Sequence, residues 1–255
     1  MNLRFIGTGT LGTARIRNKL SKDYRRFSTL LIDEKILIDP SQDIFEFEES
    51  FMLSGLYRSA GDVLITHSHL DHLSISALEQ LAAKRDITVY CDKTIVPALS
   101  EVKGLVAVAI SPFLRFKIGD YEILPLPSNH KTDVPAETAY NFIIRNEKTL
   151  FYGLDGAFIN PEAWKVLGEL KPNAYVLECT LAQAGYTKAC VYHNNFDMVV
   201  AAKAVIESAG ALTENTKFII SHIPTSKKTS IHEELCTLAS EHGIRVAYDG
   251  YYLAI

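Results

Sequence analysis

Three histidines and one aspartate occur within six residues, directly after an apolar run with the composition of a buried strand. The stretch is "DVLITHSHLDHLSI", residues 62–75. Side chains two residues apart on an extended segment point the same way, so His67 and His69 can contact one ion. Asp71 and His72 follow where the chain turns toward a predicted helix. Polar residues of an exposed loop are the alternative, but closely spaced imidazoles and carboxylates indicate a zinc, iron or manganese site.

Other chemically active residues stand just past predicted strands. Asp39 follows "KILI", His130 follows "YEILPLPSN", Asp155 follows "TLFYGL" and His222 follows "KFIIS". Layered α/β folds collect functional groups at the carboxyl ends of their strands. Each residue alone has another explanation, because a strand-end aspartate can form a turn and a lone histidine can bond nearby backbone. Together they predict one site.

The apolar pattern predicts a single layered α/β domain over residues 1–255, with two packed sheets covered by helices. Tight polar links in "IDEKI", "IGDYE" and "IRNEKTL" predict hairpins, and therefore mixed sheets. His232 and His242 fall in the last predicted helix, where we expect them to be solvated. The predicted helices are "SALEQLAAK", "PEAWKVLGEL", "FDMVVAAKAVIESAG" and "SIHEELCTLASEHG". The predicted strands are "LRFIG", "STLLID", "KILID", "DVLIT", "ITVYC", "YEILPL", "YNFII", "TLFYG", "AYVLE", "KFIIS" and "IRVAY".

The net charge neither requires nor excludes nucleic-acid or membrane partners. Its formal value of −4 gives no global attraction for nucleic acid or for an anionic membrane, although a local patch could still bind either. The start "MNLRFIGTGTLGT" has no apolar signal region, and no window reaches about 18 uninterrupted apolar residues. The four cysteines form no CxxC pair. We therefore expect a cytoplasmic protein with reduced thiols and no membrane partner, and the oligomeric state, including a homodimer, stays open.

The sequence resembles the metallo-β-lactamase-fold hydrolases, whose signature HxHxDH stands here as "HSHLDH". The other family positions appear in order as "LIDP", "SNH", "GLDG" and "ISHIP", so the resemblance covers nearly the whole chain. It implies an αββα four-layer sandwich with mixed sheets and two divalent metal ions, zinc or manganese and alternatively iron. The implied roles are one metal held by His67, His69 and His130, a second held by Asp71, His72 and His222, a bridging Asp155, and an Asp39 that orients a histidine ligand.

The phosphodiesterase branch of the family is the most similar. Two divalent ions, two aspartates and a bridging hydroxide carry a formal charge of about +1, which favours an anionic substrate. The opening "FIGTGTLGTA" and the ending "AYDGYYLAI" are similar to the branch with ribonuclease Z and the cyclic phosphodiesterase of phosphonate breakdown. The resemblance implies a small or cyclic phosphodiester substrate, hydrolysed with Asp71 in the catalytic set. His193 in "VYHNNFDM" would be the general acid, or else a helix-start residue that only bonds locally.

Three other functions stay open. The same fold and ligands serve thioester and lactone hydrolysis. A tRNA 3′-processing nuclease is less favoured, because no long basic insertion lies between Asp155 and His222; nucleic acid is thus not the favoured partner. The segment "GTGTLG", Gly7 to Gly12, matches a dinucleotide fingerprint with Asp33 about 20 residues on. That interpretation needs a helix that begins at Gly12, whereas "TARIRNKLSKDYRR" has few apolar residues at helical spacing. The basic stretch from Arg15 to Arg26 either contacts a phosphate or is a solvated face, and we favour the solvated face.

Overall fold

Two seven-stranded sheets pack face to face, and helices cover the outer side of each. The structure is a computed structural model that describes residues 1–11, 16–225 and 231–255. The two sheets and their helix layers confirm the predicted αββα sandwich. Gly12 and Arg15, at which the dinucleotide helix and the basic stretch were expected to begin, lie outside the described residues.

The first sheet has the strand order β14-β1-β2-β3-β4-β5-β6. Strands β3 to β6 are mutually parallel, while β1 pairs antiparallel with both β14 and β2. The β2–β3 hairpin has the predicted antiparallel pairing. The strands are β1 Asn2–Gly7, β2 Thr29–Ile32, β3 Ile36–Ile38, β4 Asp62–Leu64, β5 Ile87–Asp92, β6 Leu105–Ile110 and β14 Tyr252–Ala254.

The second sheet has the order β13-β12-β11-β10-β9-β8-β7. Its strands β10 to β13 are parallel, and β7 to β10 form antiparallel hairpins, so this sheet is also mixed. The strands are β7 Phe116–Ile118, β8 Tyr121–Pro127, β9 Tyr140–Arg145, β10 Thr149–Gly153, β11 Ala174–Glu178, β12 Lys217–Ser221 and β13 Arg245–Val246.

Six α-helices lie in the described residues, and capping side chains fix where three of them begin. The hydroxyl of Ser74 accepts a hydrogen bond from the Ala77 N–H at the start of α2, and Asn160 and Asn195 cap α4 and α5 in the same way. None of these helices has the length and apolar character needed to cross a bilayer. The helices are α1 Ile44–Ser50, α2 Ile75–Ala82, α3 Val96–Leu99, α4 Pro161–Leu170, α5 Phe196–Ser208 and α6 Ile231–Glu241.

Alternation along the strands divides the apolar side chains among three cores. In β9, Phe142 and Ile144 face the core between the sheets, whereas Ile143 faces α4 to α6. In β3 of the first sheet, Ile36 and Ile38 face the core between the sheets, whereas Leu37 faces the third core, which lies under α1 to α3. Because both faces of the central strands are buried, these strands are apolar at successive positions, as is usual for strands covered on two sides.

A buried polar network joins the start of the chain to its last strands. Asp249 accepts hydrogen bonds from the Thr8 hydroxyl at 2.9 Å and from the Arg26 N–H at 2.8 Å. The Arg26 guanidinium also bonds Asp249 at 3.1 Å, and both side chains are at most 1% exposed. Arg25 is buried as well and donates to Thr8 and to the carbonyl of Ala247. The predicted solvated face is therefore wrong at its carboxyl end.

His232 also departs from expectation, because it is buried and not solvated. Its Nδ1 lies 3.3 Å from the Arg25 guanidinium, and its Nε2 lies 3.4 Å from the Cys236 sulfur. The amphipathic pattern of α6 placed His232 on the polar side, but the long-range contact with Arg25 covers it.

Candidate metal centre

The histidines and aspartates of the sequence motifs follow strands that all run toward one edge of the sandwich. Asp39 directly follows β3 and His67 lies three residues past β4, while Asp155 and His222 lie just past β10 and β12. His130 lies three residues past β8. Asp39, Asp155 and His222 have positive φ values of 50°, 50° and 54°. Such backbone is costly for residues other than glycine and is concentrated at functional sites, where the surrounding structure enforces it.

The structure brings His67, His69, His130 and Asp155 into a first cluster, with one ligand atom of each within 4.8 Å of the others. The Nδ1 atom of His69 lies 3.0 Å from His67 Nε2 and 3.1 Å from His130 Nε2. An Asp155 carboxylate oxygen lies 3.3 Å from His67 Nε2. Three ring nitrogens and one carboxylate oxygen thus converge on one point.

Asp71, His72 and His222 form a second cluster beside the first. The Asp71 carboxylate lies 3.8 Å from His72 Nε2 and 3.9 Å from His222 Nε2. Asp155 lies between the clusters, because its Oδ2 is 2.9 Å from His72 Nε2 and its Oδ1 is 3.1 Å from His222 Nε2. The grouping is the one that the family resemblance implies for two ions with an aspartate between them.

The donor set fits divalent metal ions. Ligands at about 2.0–2.1 Å in a tetrahedral shell lie about 3.3 Å from one another, close to the spacings in the first cluster. His72 Nε2 and Asp155 Oδ1 are buried at the clusters and have no well-aligned hydrogen-bond partner in the described part of the chain. Buried polar atoms are normally paired, so unpaired nitrogen and oxygen atoms facing one another indicate a missing cationic partner.

Hydrogen bonds behind the clusters hold the rings in place. Asp39 accepts from the backbone and side chain of Thr66, both at 2.7 Å, and its Oδ2 lies 2.8 Å from His72 Nδ1. The Ser28 hydroxyl lies 2.8 Å from His222 Nδ1. Both histidines therefore present Nε2 to the second cluster, and this orientation of a histidine is the role expected for Asp39.

The electrostatics separate the histidines into two types. Burial, together with the neighbouring His72 charge, holds the pKa of His67 well below its usual value, and burial lowers the pKa of His130 to about 4. Burial also opposes charge on His72, but Asp71, Asp155 and Asp39 raise its pKa well above the usual value. Neutral imidazole is the metal-binding form, so His67 and His130 need no deprotonation before an ion binds.

The Asp39 contacts lead to a prediction for metal affinity. We expect Asp39→Asn to weaken binding of zinc at the second cluster about 10- to 100-fold. The amide keeps one acceptor oxygen, which the Thr66 N–H occupies, and it turns an NH₂ group in place of an acceptor toward His72 Nδ1. Competition with a chromogenic chelator measures the change. Asp120→Asn, on the exposed β7–β8 turn, is the matched control and should bind zinc like the unchanged protein. Equal affinity in both variants would remove Asp39 from this role.

His193 lies beside Asp155, between a 3₁₀ helix at Lys188–Val191 and the start of α5. Its Nδ1 is 3.3 Å from Asp155 Oδ1 and 3.4 Å from Glu178 Oε1. Burial opposes charge on this ring, but contacts with Asp155 and Glu178 raise its pKa to about 10. His193 therefore makes contact with the cluster and is not a residue of the helix.

Sequence reasoning missed Glu178, the last residue of β11. This buried carboxylate accepts from the N–H groups of Thr180 at 2.7 Å and Asn194 at 2.8 Å, so it fixes the segment that carries His193. The strand-end rule that identified Asp39 and Asp155 applies equally to the end of "AYVLE". Glu178 was therefore available to the same argument.

The glycines of "GTGTLG" have a structural explanation in the described residues. A Cβ on Gly9 would lie 2.8 Å from the Arg25 Cβ, and one on Gly7 would collide with the Phe27 carbonyl. Gly9 also forms isolated bridges with Phe27 and Ile223. Close backbone packing thus accounts for two glycines of the dinucleotide fingerprint.

Comparison with known proteins agrees with this architecture. Residues 34–223 match the beta-lactamase superfamily domain. The metallo-beta-lactamase fold protein YhfI from Bacillus subtilis superposes with a TM-score of 0.70 at 17% identity, covering 99% of this chain and 98% of YhfI. Zn²⁺-bound PqqB from Methylobacterium extorquens gives 0.73 at 15% identity, with 100% of both chains covered. Unliganded yeast PDE1 gives 0.68 at 13% identity, covering 100% and 99%.

No curated protein sequence matches the chain significantly. The family match nevertheless covers most of the chain, and the fold is shared over nearly its full length with the three structures. The chain therefore belongs to the beta-lactamase superfamily and has the metallo-beta-lactamase fold.

Proposed function

We propose that the protein is a dinuclear metal-dependent hydrolase that cleaves a small or cyclic phosphodiester. The observation that carries the proposal is the pair of His/Asp clusters joined by Asp155, with His193 on the same carboxylate. The likeness to Zn²⁺-bound PqqB supports zinc as one of the ions, and the likeness to yeast PDE1 supports the substrate class. Manganese and iron suit the same ligands.

The chemistry divides between the ions and the chain. Two divalent ions, when bound, supply an activated water and neutralise charge on the phosphoryl oxygens. Asp39 and Ser28 hold His72 and His222 in the orientation that presents Nε2. Pre-oriented ligands avoid the cost of ordering the site during the reaction.

Hydrolysis forms a P–O bond to the water oxygen and breaks the P–O bond to the leaving alcohol, which must gain a proton. We assign this proton donation to His193. Its Nδ1 contacts Asp155 and Glu178, so Nε2 is the nitrogen available to the leaving oxygen. Glu178, which is not one of the proposed metal ligands, favours the protonated ring that a general acid requires.

A leaving-group comparison tests His193. We expect His193→Ala to retain both metal ions and to lower kcat by about 10²- to 10⁴-fold with alkyl leaving groups. The loss should be much smaller with nitrophenolate, which departs without a proton. His242→Ala, an exposed histidine beyond α6, is the control and should be unaffected. An equal loss on both substrates would contradict the role of general acid.

The proposed function itself is tested by metal analysis and hydrolysis. Purified protein reconstituted with zinc or manganese should contain two ions per chain and cleave bis(4-nitrophenyl) phosphate. A panel with activated thioesters, lactones and precursor tRNA separates the alternatives. Two ions with turnover only on a thioester or lactone would keep the site but reject the phosphodiester, and no metal binding would reject the whole proposal.

A further inference from the structure

A largely apolar cavity of about 380 Å³ lies between the outer face of the second sheet and helices α4 and α5. Gly153 of β10 and Leu177 of β11 line it on the sheet side, and Trp164 of α4 faces it together with Met198 and Ala202 of α5. About 150 Å³ is enough for benzene in an engineered protein cavity. The volume here therefore accommodates a group as large as a substituted or fused aromatic ring.

The cavity and the metal centre share two wall segments. Asp155 belongs to the first cluster, and the residues that directly follow it, 156–159, line the cavity. His193 contacts Asp155, while its neighbour Asn194 lines the cavity. The Asn194 amide donates to the Gly156 carbonyl at 3.2 Å, which joins the two segments. The cavity therefore lies beside the metal centre, because on both segments a residue of the centre and a residue of the lining are neighbours in the chain.

The lining differs in polarity from the metal centre. None of the cavity-lining residues among the described part of the chain carries a charge. Phe158 and Tyr186 line it while remaining 61% and 71% exposed. Exposed aromatic side chains beside an apolar cavity are typical of a ligand-binding surface. The charged phosphoryl group suits the metal centre, whereas a neutral planar group suits the cavity.

We propose that the cavity binds a planar apolar group of the alcohol that leaves during hydrolysis. This assignment rests on the proposed function, in which His193 protonates the leaving oxygen. Because His193 stands on the segment that also lines the cavity, the leaving half of the ester lies on that side of the site. The preferred substrates are therefore phosphodiesters of aryl alcohols or of similarly planar alcohols.

The only tryptophan of the chain, Trp164, lines the cavity and reports its occupancy. We expect 4-nitrophenol to quench Trp164 fluorescence saturably, in metal-free as well as in metal-loaded protein. Ala202→Phe fills the cavity from α5 and should weaken this binding at least about tenfold. Ala204→Phe places the same side chain on an exposed position of the same helix that does not line the cavity, and should leave binding unchanged. Equal binding in both variants would overturn the proposal.

Kinetics decide which half of the ester occupies the cavity. With methyl 4-nitrophenyl phosphate and bis(4-nitrophenyl) phosphate, Ala202→Phe should raise KM at least about tenfold for both, since the leaving group is the same. A rise for the bis ester alone would assign the cavity to the retained half and overturn the leaving-group assignment. Val205→Phe, also at the cavity, is the second filling variant if Ala202→Phe fails to fold.

Two further outcomes separate the possible failures. In the first outcome, nitrophenol binds saturably and Ala202→Phe weakens this binding, but the unchanged protein does not hydrolyse phosphodiesters. That result would reject the proposed function and the leaving-group assignment, and it would retain only a cavity that binds aryl groups. A change in oligomeric state on Ala202→Phe, with unchanged nitrophenol binding, would assign the surface to a second copy of the chain and overturn the proposal.

Discussion

Replacing Asp155 with alanine is expected to lower kcat/KM for bis(4-nitrophenyl) phosphate by about a thousandfold or more. Asp155 lies within 3.3 Å of His67 in the first cluster and of His72 and His222 in the second. Its removal takes a ligand from each proposed ion and leaves two dications without the carboxylate between them. We also expect fewer than two tightly bound ions per chain, as measured by elemental analysis after dialysis.

The control for Asp155 is Asp197→Ala, which removes an exposed carboxylate from the first turn of α5. It should keep both ions and full turnover. Thermal melting of the metal-free Asp155→Ala variant checks that the fold survives, because the substitution removes one of the three carboxylates that surround buried His72. An Asp155→Ala enzyme with two ions and undiminished turnover would exclude the aspartate as a shared ligand.

Asp249→Ala is expected to lower the free energy of unfolding by about 3 kcal/mol or more. The change leaves one guanidinium nitrogen of buried Arg26 without its carboxylate and removes the acceptor of Thr8. The other terminal nitrogen of Arg26 still contacts Glu46 and Ser50, so the guanidinium charge keeps part of its pairing. Urea denaturation of both proteins measures the change in the free energy of unfolding.

Burial raises the pKa of Asp249 to about 6 although Arg26 opposes the shift, so unfolding is measured well above that pH, where the pair is ionised. The matched comparison is Glu122→Ala. It breaks the pair with Arg115, whose side chains are 48% and 36% exposed, and should cost less than about 1 kcal/mol. Similar losses of unfolding free energy in the two variants would show that burial of the Arg26–Asp249 pair does not increase its contribution to stability.

The sequence predicted the interior of both sheets but missed β6 and β14 at their edges, and it indicated β7 only through the predicted hairpin at "IGDYE". Strands β6, β7 and β14 each close one end of a sheet, and many of their residues are exposed. Val106 and Val108 of β6 are exposed on one side, and β7 and β14 have only three residues each. A pattern rule that relies on buried side chains has least to detect in such strands.

Local spacing predicted the metal-centre residues, whereas the residues that support them depend on contacts between distant segments. "HSHLDH" places four side chains on one short segment, so their proximity needs no knowledge of the fold. Ser28 reaches His222 across 194 residues of sequence, and Arg26 reaches Asp249 across 223. No periodicity along the chain encodes these pairings, and for this reason Arg25 and Arg26 were expected in solvent.

The position of β1 between β2 and β14 has a consequence for how the molecule folds. Asn2, Leu3 and Arg4 pair with residues 252–254, and Thr8 bonds Asp249 across 241 residues. During synthesis one edge of β1 stays unpaired until residues 252–254 have left the ribosome, and unpaired strand edges attract other chains. Contacts of such long sequence separation also slow the search for the native state. We therefore expect slow refolding whose yield falls as protein concentration rises.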